Sequence, residues 1–252
     1  MRFDVITLFA ELFAPFLELG VTRRAFESGQ VEVQFFNPRD FAEGNYRRVD
    51  DRPFGGGPGM VMMAEPLAKT LAHIRSLRND NAPVVLFSPV GKPLNHAAVQ
   101  HWADSTGAIL VCGRYEGLDQ RFIDAHVDVQ VSLGDFVLSG GEIAAIALLD
   151  AVARLQPGVL TDPHSHAFDS FNAELDGLLD CSHYTRPEEW NGQAVPGALM
   201  SGNHAQIERW RRDQSLLLTA AKRPDLLVAA RAAGKLDARD EVVLAGPKTN
   251  LL

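Results

Sequence analysis

The chain has 252 residues, 46% hydrophobic and 22% charged, enough apolar material for a substantial core in one large or two modest domains. It lacks any run of about 18 uninterrupted apolar residues, which argues against a membrane span. Early acids at Asp4 and Glu11 argue against a secretory signal, and two cysteines, Cys112 and Cys181, fit a reducing cytoplasm rather than a disulfide framework. The net charge of −8 weighs against a nucleic-acid partner unless local basic clusters override it.

In chain order, Arg2 to Leu8 alternates and reads as a strand. Glu11 to Glu27 has helical spacing, with Leu12, Phe13, Phe16, Leu17 and Leu19 largely on one side. Gly29 ends it, and Val31 to Phe36 reads as the next strand, so a parallel strand–helix–strand unit is expected. Asn37 to Gly59 is polar and glycine-rich, with Arg39, Arg47, Arg48 and Arg52 set against Asp40, Glu43, Asp50 and Asp51. Its length points to a loop that closes over a ligand or a nucleic-acid backbone; a solvated loop with paired charges is the alternative. Its GGGPGM stretch lacks the Lys-Ser/Thr ending of a nucleotide P-loop. Met60, Met62 and Met63 read as adaptable core packing, and Glu65 to Leu77 as a helix with Pro66 near its start.

Pro83 to Ser88 and Ala108 to Cys112 are short apolar runs of the buried parallel-strand type, and Val127 to Val131 reads as a third strand. Helices over His96 to Asp104, capped by Asn95, and over Asp119 to Ala125 separate them. Each strand ends in a glycine or proline turn: Ser88–Gly91, Gly113–Gly117 and Leu133–Gly141. In an open parallel sheet, ligands bind outside the carboxyl ends of the strands, so three converging turns mark a candidate small-molecule site. Ser139 and Glu142 have the spacing of a capping box for the apolar helix Ile143 to Leu155, which is expected to be buried nearly all round.

After Arg154 the character changes, and Pro157-Gly158 stops the helix. His164, His166, Cys181 and His183 match no zinc template, and no metal site is assigned. From Asn203 a helix returns, with Ile207, Trp210, Gln214 and Leu217 on one face, and Pro224 separates it from a second helix over Asp225 to Ala233. Arg186, Arg209, Arg211, Arg212, Lys222 and Arg223 make this part mildly basic, which fits an RNA-facing surface or an ordinary solvated face.

With these residues assembled, the chain resembles the bacterial tRNA (guanine-N1)-methyltransferases of the SPOUT superfamily. The segments FDVITLF, NPRDF, VDDRPFGGGPGM, GRYEGLDQR, SLGDFVLSGGE, DSF, GLLDCSHYTRP and SGNHAQIERWR carry the resemblance, in order over nearly the whole chain. It implies an α/β domain over residues 1–160, a mostly parallel sheet with a C-terminal trefoil knot. A linker over 161–175 and a small α-helical tRNA-binding domain over 176–252 would follow. Connection rules alone point away from a knot.

The resemblance also implies that the three turns bind S-adenosylmethionine. The residues carried over are Phe87, Ser88 and Pro89 in the first turn and Gly113, Tyr115, Glu116 and Gly117 in the second. The third contributes Leu133, Gly134, Asp135, Phe136, Val137, Leu138, Gly140 and Gly141. This chain departs from the family's common residues at Phe136 and Phe54, where Tyr is usual, and at Ala144 and Ser182, where Pro is usual. Backbone contacts survive the loss of the hydroxyl at Phe136; Ala144 bears on the fine shape of the adenine pocket.

Further implications are a homodimer whose active sites are built from both subunits, Asp169 of the DSF motif as general base, and Arg154 as its partner. The substrate would be tRNA with guanosine at position 37, just 3′ of the anticodon and preceded by another guanosine. RNA contacts are expected at Asp50, Arg52, Ser170, Asp176, Arg186, His204 and Arg211. Magnesium is implied without a position, since an ion that keeps most of its waters leaves little trace in a sequence. The chemistry suits these residue types: a carboxylate can take the N1 proton, and an arginine can hold the charge that develops on O6. Arg154 as a dipole-complementing residue and Asp169 as a helix cap are the structural alternatives. Two other functions stay open, a ribose 2′-O-methyltransferase of the same fold and a non-catalytic RNA-binding module. A cytoplasmic protein with no membrane partner is expected.

Overall fold

Five strands pair into one parallel sheet in the computed structural model, which describes residues 1–161 and 166–246. The first unit, Met1–Thr161, runs β1 (Arg2–Ile6), α1 (Ala14–Glu18), α2 (Arg23–Glu27), β2 (Glu32–Phe36), β3 (Asp50–Asp51), β4 (Val61–Met62), α3 (Ala64–Leu77), β5 (Val84–Pro93), α4 (His96–Ala103), β6 (Gly107–Val111), α5 (Gln120–His126), β7 (Val129–Ser132) and α6 (Glu142–Ala153). The strand order is β2-β1-β6-β5-β7, and every neighbouring pair is parallel.

Alternation along β6 explains how the sheet is covered on both faces. Ala108 and Leu110 point into a cluster with Phe3, Val5, Leu148, Leu149 and Val152, beneath α2, α4 and α6. Ile109 and Val111 point the other way, into Ile6 of β1, Leu67, Leu71 and Ile74 of α3 and Phe122 of α5. A strand buried on both faces needs the unbroken apolar run that β6 has. Asn95 caps α4 by accepting from Ala98 N–H, as its position predicts.

Three local expectations are corrected. The helix expected over Glu11 to Glu27 is a 3-10 turn at Ala10–Leu12 followed by the separate α1 and α2. Gly20 stands between them in the left-handed region, and Leu19 and Val21 are exposed, so the apolar spacing there does not mark one buried face. The strand expected to end at Ser88 runs on to Pro93, pairing with β7 on both sides of a register shift between Phe87 and Lys92. The buried-all-round α6 buries Ala144, Ala145, Leu148, Leu149, Val152 and Ala153, but Ile143 stays 54% exposed.

Asp119 caps α5 by accepting from Arg121 N–H, and its carboxylate also pairs with the Arg121 side chain. The Arg121 side chain, followed by its backbone N–H, holds the Asp119 carboxyl down at about 2. A carboxyl held below its unfolded value adds stability that is present above the ordinary aspartate range and is lost as pH falls toward about 2. Asp119→Ala is therefore expected to cost about 0.5–2 kcal/mol at neutral pH, a difference that shrinks on acidification; urea titrations at the two pH values measure it.

The second unit comprises residues 162–252. Its described elements are a 3-10 turn at Ala173–Leu175, the antiparallel pair β8 (Glu189–Trp190) and β9 (Gln193–Ala194), and the helices α7 (Gly197–Met200), α8 (His204–Lys222), α9 (Pro224–Ala232) and α10 (Ala238–Ala245). Leu178, Leu216, Leu227 and Ala230 form its core. The face of α8 that is fully buried carries Ser215, Leu216 and Thr219; Ile207, Trp210, Gln214 and Leu217 are only half-buried. The cause is the segment before β8. Ser215 Oγ donates to Leu179 C=O, and Thr219 Oγ1 accepts from Leu179 N–H, so an extended backbone docks along a strip of small hydroxyl residues. Among the described residues no helix is long and apolar enough to cross a membrane.

Candidate functional site

A cavity of about 450 Å³ opens at the carboxyl ends of β5, β6 and β7. From the first turn it is lined by Phe87, Ser88 and Pro89, and from the second by Gly113, Tyr115, Glu116 and Gly117. Leu133, Phe136, Val137, Leu138, Gly140 and Gly141 line it from the third. Gly134 and Asp135 belong to the same third turn without lining the cavity. Parallel pairing puts all three strand ends on one side of the sheet, which is why turns far apart in sequence meet there.

The walls are held by contacts that the sequence did not advertise. α6 begins at Glu142 with Gly141 as its N-cap, and no side chain caps it. The expected Ser139–Glu142 capping box does not form, because Glu142 is drawn into the core. There its Oε1 accepts from Thr7 Oγ1 at 2.8 Å and from Arg114 Nε at 3.1 Å. Its Oε2 lies 3.0 Å from the same guanidinium nitrogen but has no directed hydrogen bond, so the pair is a charge contact shared unequally. Arg114 also donates to Ser139 C=O at 3.2 Å and lies over the Phe9 ring at 4.4 Å. One guanidinium thus straps the second turn to the third and to the end of β1.

The backbone approach is close. A Cβ on Gly141 would lie 2.7 Å from Cys112 Cα, and Gly141 N–H donates to Gly113 C=O at 3.0 Å. The Cys112 thiol beneath is pushed well up by burial and then by the Glu142 carboxylate, so it stays protonated and is no nucleophile.

The long segment before β4 is tied to the second turn. Met62 N–H donates to Gly117 C=O, Glu116 N–H to Met60 C=O, and Asp119 N–H to Met62 C=O. Tyr115 adopts a left-handed backbone, φ 59°. Burial and then the nearby Asp50 carboxylate push its phenol up, with the Arg39 guanidinium opposing. Asp50 sits half-buried in β3 and Arg52 is exposed just after it. The loop expected to close over a ligand is thereby anchored beside the cavity.

Arg154 is the C-cap residue of α6 and is half-buried. The remaining candidates lie on the second unit. Asp169 is half-buried in a turn whose backbone runs Asp169 N–H to His166 C=O and Asn172 N–H to Asp169 C=O, braced by the Asn172 side chain on His166 C=O. Ser170 Oγ accepts from Asp180 N–H. Asp176 pairs with Arg212 at 3.0 Å, and Arg186, His204 and Arg211 are exposed. The basic surface expected here is partly an internal ion network: Arg209 and Arg212 meet Asp240, Arg209 meets Asp213, and Arg223 meets Asp225. Of the histidines considered as metal ligands, His164 lies outside the described residues.

Residues 1–229 match the family model described as tRNA (Guanine-1)-methyltransferase TrmD. The chain belongs to this family. A tRNA (guanine-N(1)-)-methyltransferase of Paracidovorax citrulli is 72% identical over 249 residues, covering 97% of this chain and 98% of that protein. The protein of the same description from Leptothrix cholodnii is 61% identical, covering 97% and 98%, and that from Ralstonia nicotianae is 55% identical, covering 99% and 94%. As an enzyme of the tRNA (guanine-1)-methyltransferase family, the chain carries its cavity, the strapping Arg114 and the half-buried Asp169 and Arg154 within the matched span; α10 lies beyond it. The Arg114–Glu142 pair escaped the sequence reading, which took Glu142 for half of a capping box, because it spans 28 positions and follows no helix or strand period.

Proposed function

We propose that the chain transfers a methyl group from S-adenosylmethionine to N1 of guanosine 37 in tRNA. The observation that carries this reading is the cavity built from three strand-end turns in a member of this family. The cavity suits the methyl donor: apolar side chains line it beside Ser88, Glu116 and glycines at 113, 140 and 141, where a ligand can approach backbone. S-adenosylmethionine supplies an electrophilic methyl group when bound. The tight passage of Gly141 past Cys112 supports reading this region as the trefoil knot implied by the family resemblance.

Asp169 is the general base: its carboxylate takes the N1 proton of the guanine, and Arg154 holds the charge that develops on O6. Guanine presents O6 and N7 to an arginine, and a single-stranded loop lets the base be turned out to reach both side chains. The second unit carries the tRNA contacts, with Ser170, Asp176, Arg186, His204 and Arg211 as their residues and Asp50 and Arg52 as those of the first unit. No step is assigned to magnesium. Among the described residues the only group of three or more close metal-ligating side chains is Asp180, Cys181 and His183, a thiol-bearing set ill suited to that ion.

The enzyme acts in the cytoplasm as a homodimer, each site taking Arg154 from one subunit and Asp169 from the other. The exposed apolar side chains Phe9, Leu12 and Ile143 on the first unit support such an interface. Methyl transfer to tRNA transcripts carrying guanosine or adenosine at position 37 tests the specificity. Transfer to guanosine alone, with the product blocking reverse transcription at that base, is expected; equal transfer to both would refute it, and a modified ribose would point to 2′-O chemistry.

A further inference from the structure

The second unit holds a cavity of its own, about 210 Å³, between the segment that follows Asp180 and helix α8. Trp210 and Tyr184 line it, with ring centroids 6.0 Å apart in an edge arrangement at 64°. Ile207 adds an apolar floor, and Arg211 and His183 stand at the polar side. Trp210 is only half-buried although its spacing on α8 suggests core, and Tyr184 is exposed. Two partly open aromatic rings beside an arginine are the composition that receives an unstacked base in single-stranded nucleic acid.

The charges sharpen this. Of the three neighbouring arginines on α8, Arg209 and Arg212 are held by Asp213, Asp240 and Asp176. Arg211 makes no ion pair among the described residues, so its charge is available at the rim of the cavity. His183 is kept in place by Asp180, whose Oδ2 lies 2.8 Å from its Nε2. Asp180, Cys181 and His183 also come within 4.8 Å of one another, a spacing that raises the question of a metal ion. Both Asp180 oxygens are already engaged, one by Cys181 N–H and one by His183. Burial and then the Asp180 carboxylate push the Cys181 thiol up, with the Arg211 guanidinium opposing. Arg211 lines the same cavity and gives it a cationic rim to which a phosphate can pair.

We propose that this cavity holds one unstacked base of a single-stranded RNA segment against Trp210 and Tyr184, with a neighbouring phosphate at Arg211. The assignment rests on the tRNA reading above and places a second base-binding position on the unit that carries Asp169.

The test compares the full-length protein with Trp210→Phe, Trp210→Leu and Arg211→Gln, each checked for folding by circular dichroism. tRNA binding is measured directly, and substrates with single abasic positions across the anticodon arm are included. Trp210→Leu is expected to weaken tRNA binding about 5- to 150-fold, the span of one base–aromatic stack, with Trp210→Phe recovering most of it. One abasic position should weaken wild-type binding by a similar factor and have no further effect in Trp210→Leu. Arg211→Gln should lower the log–log salt slope by about 0.7, one single-strand phosphate. S-adenosylmethionine affinity should not change in any variant. Equal losses for Phe and Leu in folded proteins, or additive losses at every abasic position, would overturn the pocket. Stoichiometric zinc that shields Cys181 from alkylation, without that coupling, would overturn it in favour of a metal site. Tight tRNA binding without methyl transfer would instead overturn the proposed reaction, and the binding measurements would still decide the pocket.

Discussion

Asp169→Asn is expected to lower the rate of methyl transfer about 10²- to 10⁴-fold while leaving S-adenosylmethionine affinity unchanged. The substitution keeps the shape of the side chain and removes the proposed acceptor of the N1 proton; the cavity proposed for the donor belongs to the other unit. Arg154→Ala is expected to cost about 10²- to 10³-fold, as the loss of one donor to a developing charge does. Single-turnover transfer of labelled methyl measures both, and calorimetry measures donor binding. If the two groups act on one transition state, the double variant loses much less than the product of the two factors. Mixing the variants separates one-subunit from shared sites. A heterodimer of Asp169→Asn and Arg154→Ala subunits retains one intact site when each site draws on both chains. A random mixture should then recover about a quarter of wild-type activity, whereas sites built within one chain would leave the mixture inactive. Full activity of Asp169→Asn alone would end its assignment as the base.

The parts of this fold that were legible in the sequence are those with short-range physical causes. The apolar runs that open β5 and make up β6 were visible because strands buried on both faces leave little room for polar residues, and the turns after β5, β6 and β7 because glycine and proline punctuate the chain. A side-chain cap that depends on a neighbour three positions away, Asn95 on α4, was legible for the same reason. What failed was local pattern overruled by a distant partner. Ser139-Gly140-Gly141-Glu142 has capping-box spacing, yet Thr7, 135 positions earlier, and Arg114 claim the carboxylate. The apolar stripe of α8 was outcompeted by Ser215 and Thr219, whose hydroxyls satisfy the backbone at Leu179 36 and 40 positions away. Asp169 and Arg154 bear no local pattern that sets them apart from a cap or a dipole partner; the resemblance alone singled them out. The cavity carrying Trp210 was hidden because its spacing is that of a core residue.

Gly141→Ala should damage both stability and donor binding, because the position has backbone on its open side. The added methyl would meet Cys112 Cα at 2.7 Å and Gly113 N at 3.1 Å, and neither atom belongs to a side chain that can rotate away. Either α6 moves at its first turn or β6 moves at its end. The hydrogen bond from Gly141 N–H to Gly113 C=O joins the same two segments, so a shift of one strains the other. Overpacking of this kind costs about 1–3 kcal/mol, and each kcal/mol lowers Tm by about 2–4 °C in a protein of this size. The functional loss is expected to exceed what the stability change alone would produce, since Gly113, Gly140 and Gly141 are walls of the cavity itself. A displacement of about 1 Å there would weaken donor binding or productive orientation by about 10²-fold. Gly197→Ala is the matched control, a glycine at the start of α7 with ordinary backbone geometry and nothing within 4 Å of the added methyl. Calorimetric titration of S-adenosylmethionine and a thermal melt on the two variants separate a specific blockade from the general cost of removing a glycine. Wild-type affinity and Tm in Gly141→Ala would show that the close passage of α6 beneath the second turn does not shape the donor site.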